Sequence, residues 1–175
     1  MLINKLGSTL ILLRHGQSIW NLSNIFTGWV DVPLTITGRK QAVKVGNMLL
    51  NNNIIPNVCF ESELIRSQDT LHIVKNTMNI EDVPTFRSWK MNERHYGKLQ
   101  GLNKLTAESI YTKDKVTQWR RSYNSIPPLL SFKDYYNPKF ESKYNNINHD
   151  QLPLGESLKM TRERIIPYWN NEVSK

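Results

Sequence analysis

Arg14-His15-Gly16 follows directly on the apolar run Leu10-Ile11-Leu12-Leu13, and a histidine at such a break can do chemistry. A neutral imidazole titrates near neutrality, can attack phosphorus, and can leave again as readily as it attacked. Guanidinium groups neutralise the oxygens of a transferring phosphoryl group through bidentate contacts, without a metal. Arg14 and Arg66 fit that role. Glu93 lies in the dense polar segment Asn92-Glu93-Arg94-His95-Tyr96-Gly97, where it could pass a proton to or from a substrate hydroxyl; an ion pair with Arg94 weighs equally. Arg120-Arg121, preceded by Trp119 and followed shortly by Tyr123, suits capture of a carboxylate or phosphate, although a solvated basic helix face explains the pair as well. A single histidine or arginine is more often a surface or packing residue. His72, inside a predicted helix, and His149, in an Asn-rich loop, are read that way. No His and carboxylate spacing suggests a metal site, and no Gly-rich phosphate loop is present.

The elements that must hold these residues follow from periodicity. Leu10 to Leu13 reads as a first strand buried on both faces. From Thr37, Ala42, Val45, Met48 and Leu49 recur at helical spacing, with Thr35 or Thr37 as cap, predicting a helix of about three to four turns. Val58-Cys59-Phe60 predicts a second strand, and Leu64, Leu71, Val74 and Met78 a helix after it. A third strand is expected at Thr85 to Trp89, leading into the segment that carries Glu93. Strand and helix alternate, which is the pattern of an α/β sheet with ligands beyond the carboxyl ends of its strands. Between Ser122 and Gly155 the pattern fades into Pro127-Pro128, paired tyrosines and asparagines, so a long insertion or lid is expected there. Helical spacing returns from Glu156 to Val173, with Leu158, Thr161, Ile165, Ile166 and Trp169 as core contacts.

The 175 residues, 39% hydrophobic, suffice for one compact domain. Lys and Arg exceed Asp and Glu by 23 to 15, a formal charge of +8, which favours an anionic partner. The basic residues are spread along the chain rather than gathered in a run, which ranks phosphorylated metabolites above nucleic acid. The single cysteine, Cys59, sits in an apolar stretch and reads as a buried free thiol. The longest early apolar run is too short for a signal or membrane segment, so a cytoplasmic setting and no membrane partner are expected.

The blocks LLRHGQSIWN, FTGWVDVPLT, RSWKMNERHYGKLQGLNK, QWRRSY and LPLGESL stand in this order, and with them the chain resembles the cofactor-dependent phosphoglycerate mutases of the histidine phosphatase superfamily. The resemblance runs from about Thr9 to Glu172. It implies an α/β three-layer sandwich with a mostly parallel central sheet flanked by helices. It also implies interconversion of 3-phosphoglycerate and 2-phosphoglycerate in glycolysis and gluconeogenesis, through a phosphohistidine primed by 2,3-bisphosphoglycerate and without a metal. By the same carry-over His15 is the phosphorylated residue, Arg14 and Arg66 grip the phosphoryl group, and Glu93 donates and accepts the proton. Asn21, Thr27 and Gly28 line the site, and Tyr96, Lys104, Arg120 and Arg121 match substrate-binding positions. A homo-oligomer is a further family trait.

Two departures stand out. The resemblance implies a second catalytic histidine in a His-Gly-Asn motif, on a strand after the last predicted helix, and the chain ends before it. The expectation is therefore a single domain over residues 1–175 that is incomplete at its C-terminus. Second, Glu61 precedes Ser62 where the family carries a small hydroxyl residue, which predicts an extra acid near the anion site and weaker phosphate binding. Two other readings stay open: a histidine-type phosphatase, in which water discharges the phosphohistidine, and an inactive remnant that only binds phosphometabolites.

Overall fold

The computed structural model describes Gly7 and residues 9–174. Its α/β character rests on a strand–helix–strand unit. Cys59–Glu61 (β1) and Thr85–Arg87 (β2) are connected through the helix Ile65–Met78 (α3) and pair in parallel, Cys59 with Thr85, Phe60 with Phe86 and Glu61 with Arg87. Side chains alternate across a strand, so Phe60 stacks on Phe86, ring centroids 5.5 Å apart, while Cys59 and Glu61 turn to the other, buried face. Cys59 is the buried free thiol expected.

The helix Ile36–Asn51 (α2) lies along α3, and Thr35 settles the choice of cap: its hydroxyl accepts the amide proton of Gly38 at 3.0 Å. Ala42 and Leu49 of α2 pack on Val74 and Met78 of α3. The helices approach so closely that a Cβ on Gly46 would lie 2.8 Å from Thr77 Cβ and 3.2 Å from the carbonyl of Val74. A second core joins the helices Lys104–Tyr111 (α4) and Lys113–Arg121 (α5), where Ala107 and Val116 meet Phe26 and Leu99. A third gathers Tyr144 and Leu152 on Trp29.

Three expectations need correction. Leu10 to Leu13 lies outside any strand, and its side chains are exposed. A strand exists only through its ladder partner, and β1 pairs on one side only, with β2, among the described residues. The segment 122–155 is irregular as expected but is not a detached lid: short 3₁₀ turns at Pro138–Phe140, Ser142–Tyr144 and His149–Gln151 carry Tyr144 into the core, 5.2 Å from the Trp29 ring. Finally, the last helix runs Leu158–Tyr168 (α6) and continues as a π turn over Trp169–Val173. None of its residues is fully buried, and Leu158 and Ile166 are exposed. Its main inward contact is made by a charged side chain, Arg164, paired with Glu156 at 2.8 Å.

Trp29 also packs against His95, which is wholly buried. His95 Nδ1 accepts the amide proton of Gly97 at 3.0 Å, so the ring is neutral with its proton on Nε2. Burial, seconded by the Arg164 charge, pushes its pKa down to about 3. Because the folded pKa lies below that of the unfolded chain, the stabilisation is complete above about pH 6.5 and is lost as the pH falls toward 3. From pH 7 to pH 5 this group should cost about 2 kcal/mol; urea unfolding should show that loss in the wild type and a markedly flatter pH dependence in His95→Gln. At the α2–α3 contact, Gly46→Val should destabilise by about 1 to 3 kcal/mol through overpacking, read as a lower urea midpoint at unchanged slope.

Candidate active site

Arg66 stands in the first turn of α3, which begins where Asp31 Oδ1 accepts the amide proton of Ile65 at 2.9 Å. Its side chain is 1% exposed, and a guanidinium so far from water must place its donors on acceptors. Nη1 donates to the carbonyl of Val30 at 3.0 Å, and Nη2 to the carbonyl of Gly28 and to Glu93 Oε2, both at 2.7 Å. Nε donates to His15 Nε2 at 3.3 Å. Gly28 can present its carbonyl this way because its φ is +56°, and a side chain there would also strike Gln100.

His15 is held from the other end. A carbonyl can only accept, so the 2.7 Å contact between Nδ1 and Gly16 O places the proton on Nδ1. Nε2 then carries the free lone pair, in agreement with the donor it faces on Arg66. Partial burial lowers the His15 pKa below its ordinary value, and the Arg66 and Arg14 charges act the same way, opposed by the Gly16 hydrogen bond and Glu93. Gly16 itself donates to Thr70 Oγ1 at 3.1 Å, while Thr70 donates to the Arg66 carbonyl at 2.7 Å. A Cβ on Gly16 would collide with the carbonyl of Gly38. Glycine lets the loop approach α2 this closely.

Glu93 thus pairs with Arg66 rather than with Arg94, which instead donates to Tyr96 Oη and to the carbonyl of Arg120. Beside Glu93 opens a cavity of about 250 Å³ lined by Arg14, Asn21, Ile25, Phe26, Thr27, Tyr96, Lys104, Arg120 and Arg121. Four cations face one carboxylate, which makes this an anion site. Lys104 is pushed toward its neutral form by partial burial and by the charges of Arg120 and Arg14, so a bound anion would relieve repulsion among them. Thr27 Oγ1 is buried without a partner among the described residues. Asn21 Oδ1 accepts from the amide of Ser18 at 3.1 Å, leaving its amide NH₂ to offer.

All the site residues expected from the sequence therefore come together. Arg66 and His15 form one side, Gly28 contributes through its carbonyl, and the rest line the cavity. Phe26 was not among them, although it lies in the FTGW block; the Lys104 and Arg120 head groups sit 5.9 and 6.0 Å from its ring. His72 and His149 are exposed and lie apart from the cavity lining. The expectation for Glu61 is corrected. Register with Arg87 gives it an ion pair at 2.8 Å, and it lines a separate cavity with Lys75 and His72, so it adds no acid to the anion site.

A sequence profile of the histidine phosphatase superfamily (branch 1) matches residues 10–137. The 2,3-bisphosphoglycerate-dependent phosphoglycerate mutase of Lachnoclostridium phytofermentans is 46% identical over 166 residues, 95% of this chain and 67% of its own length. The enzyme of that name from a Hydrogenobaculum species is 45% identical with the same coverage. The chain spans about two thirds of the length of these curated relatives. Among solved structures, a mycobacterial glucosyl-3-phosphoglycerate phosphatase in complex with VO3 superposes with a TM-score of 0.67 at 22% identity, over 91% of this chain and 62% of that one. Bacillus stearothermophilus YhfR gives 0.64 at 20% identity, over 92% and 65%. At such identities the likeness is one of fold. The chain belongs to the histidine phosphatase superfamily and, within it, to the 2,3-bisphosphoglycerate-dependent phosphoglycerate mutases.

Proposed function

We propose that the chain interconverts 3-phosphoglycerate and 2-phosphoglycerate through a phosphohistidine at His15. The observation that carries this reading is the His15 Nε2 lone pair, turned to the buried Arg66 beside a cationic cavity with Glu93 next to it. The cavity suits the primer that the family's name gives, since a bisphosphorylated carboxylate asks for several cations and a free hydroxyl donor. 2,3-bisphosphoglycerate supplies, when bound, the phosphoryl group that first loads His15.

In the chain's own terms the reaction runs as follows. His15 Nε2 forms the N–P bond as the P–O bond to the glycerate oxygen breaks. Nδ1 keeps its proton, donated to Gly16 O, so the developing positive charge on the ring is held by a hydrogen bond that is already in place. Glu93, which must carry a proton when this step begins, gives it to the departing oxygen and is left as the carboxylate. In the return step it takes the proton of the other hydroxyl as that oxygen attacks phosphorus and the N–P bond breaks. Arg66 needs little rearrangement: its Nη groups stay on Gly28, Val30 and Glu93, and its Nε–H, no longer facing a lone pair, meets a phosphoryl oxygen. Arg14 covers the same group from the open side. Lys104, Arg120, Arg121 and Tyr96 hold the carboxylate and the phosphate that is not transferred, with Asn21 and Thr27 as neutral donors. Preorganised donors of this kind are each worth about a hundredfold or more in rate. The proposal includes small phosphorylated metabolites as partners and a cytoplasmic setting, in keeping with one unpaired cysteine.

Incubation with labelled 2,3-bisphosphoglycerate should place acid-labile label on the wild type and none on His15→Ala. Because the His15 pKa lies below its ordinary value, the loading rate should fall at acid pH as Nε2 becomes protonated. Added 3-phosphoglycerate should collect the label as bisphosphoglycerate. Release mainly as inorganic phosphate would favour a phosphatase instead, and absence of label on folded protein would end the phosphohistidine reading.

A further inference from the structure

The LPLGESL block contributes nothing to the lining of the cavity, yet it carries a charged group buried as deeply as Arg66. Glu156 is 2% exposed, and with Arg164, whose side chain is 7% exposed, it forms a two-pronged ion pair: Nε to Oε1 at 2.8 Å and Nη2 to Oε2 at 2.9 Å. A buried pair of this kind gains little stability over an apolar one. What distinguishes it is where its remaining donors go. Arg164 Nη1 donates to the carbonyls of Trp89, Lys90 and Asn92 at 3.2, 2.8 and 3.2 Å, and Nη2 to those of Asn92 and Glu93 at 3.2 and 3.3 Å.

The same backbone is gripped on both sides of Glu93. Glu156 Oε2 accepts the amide proton of His95 at 2.9 Å, and the Glu156 amide donates to the His95 carbonyl at 2.8 Å. The Glu93 carbonyl receives a second and shorter hydrogen bond, from Trp29 Nε1 at 2.7 Å, and the Arg164 guanidinium lies 5.4 Å from the Trp29 ring centroid. At Glu93 itself these hydrogen bonds reach only the main chain. The Glu93 side chain, 37% exposed, is free of them and points to Arg66.

We infer that Arg164, held by Glu156 and assisted by Trp29, is a positioning residue that fixes the Glu93 carboxylate for proton transfer. The consequence for catalysis rests on the mutase reading, but the placement of Glu93 does not. Glu93 follows the 3₁₀ turn Trp89–Met91, so its carboxylate has a rotatable backbone beneath it, and displacement of a proton-transfer group by about 1 Å can cost up to about a hundredfold in rate. Multiple donors in a rigid fork can hold several carbonyls together, whereas a single ammonium cannot.

The test is Arg164→Lys, which keeps the charge opposite Glu156 and loses the fork; Trp29→Phe, which keeps Arg164 and an aromatic ring in the core but removes the other donor to the Glu93 carbonyl, serves as the second variant and decides the matter if the first does not fold. One readout needs no turnover. In carbon-13 spectra the Glu93 carboxyl resonance should move in either variant, while that of Glu61, paired with Arg87, should not; an unmoved Glu93, or equal movement of both, overturns the inference whether or not the chain is a mutase. The second readout is single-turnover transfer of label from His15 to 3-phosphoglycerate. The rate should fall about tenfold or more, half-saturation should stay within about twofold, and combination with Glu93→Gln should add little further loss. Full additivity with Glu93→Gln overturns the inference. Failure of the wild type to load His15 counts against the mutase reading alone, and the resonance of Glu93 then still decides the placement.

Discussion

The burial of one guanidinium governs the arrangement of this site. Arg66 cannot be left in the interior with unmet donors, because an unpaired charge there would cost several kcal/mol. Its solution is to bind four acceptors on three separate pieces of chain at once: the Gly28 and Val30 carbonyls of one loop, the carboxylate of Glu93, and the imidazole of His15. Each of those contacts constrains something else. The Gly28 carbonyl is reachable only at a positive φ, the Glu93 carboxylate is drawn away from Arg94, and the His15 ring is fixed in one tautomer. The site is thus preorganised by the requirement of satisfying a buried cation, before any ligand enters.

The surrounding elements serve that requirement. Asp31 caps the start of α3 and so determines where Arg66 begins. Thr70, one turn further on, ties the helix to Gly16, and the close approach of the His15 loop to α2 leaves no room for side chains on Gly16 or Gly38. Opposite, the Glu156–Arg164 pair fastens the backbone on either side of Glu93. Beside Glu93 lies a cavity whose charge is mostly positive and whose neutral groups, Thr27 and Asn21, retain hydrogen-bonding capacity. The energetic logic is that of an anion site, where fixed cations replace solvent around the bound charge.

Local pattern was legible in the sequence, and distant pairing was not. The helices at α2 and α3 came from apolar spacing and caps, and β1 and β2 from short β-branched and aromatic runs. His15, Arg66 and Glu93 were picked out by chemistry and by the resemblance together. Leu10 to Leu13 failed as a strand because the spacing of apolar residues cannot show whether a ladder partner is at hand. Glu61 was assigned to the wrong neighbourhood because strand register, which gave it Arg87, is a long-range property. Arg164 escaped notice for the opposite reason: a helix read for its apolar face hides a charged residue as its main inward contact, and nothing near it in sequence announces the carbonyls of residues 89–93. His95, in the same polar segment as Glu93, is buried against Trp29 with a pKa near 3, which nothing in the local sequence announces.

The central claim is that the fold presents His15 with its proton on Nδ1 and its lone pair on Nε2, facing Arg66. Nitrogen-15 spectra of histidine-labelled protein, with His15→Gln to assign the resonance, measure this directly. The account predicts, at pH 7, a neutral His15 ring with a protonated Nδ1 and an unprotonated Nε2. A proton on Nε2, or an imidazolium at that pH, would contradict it, because either would remove the lone pair that the Arg66 donor and the proposed chemistry both require.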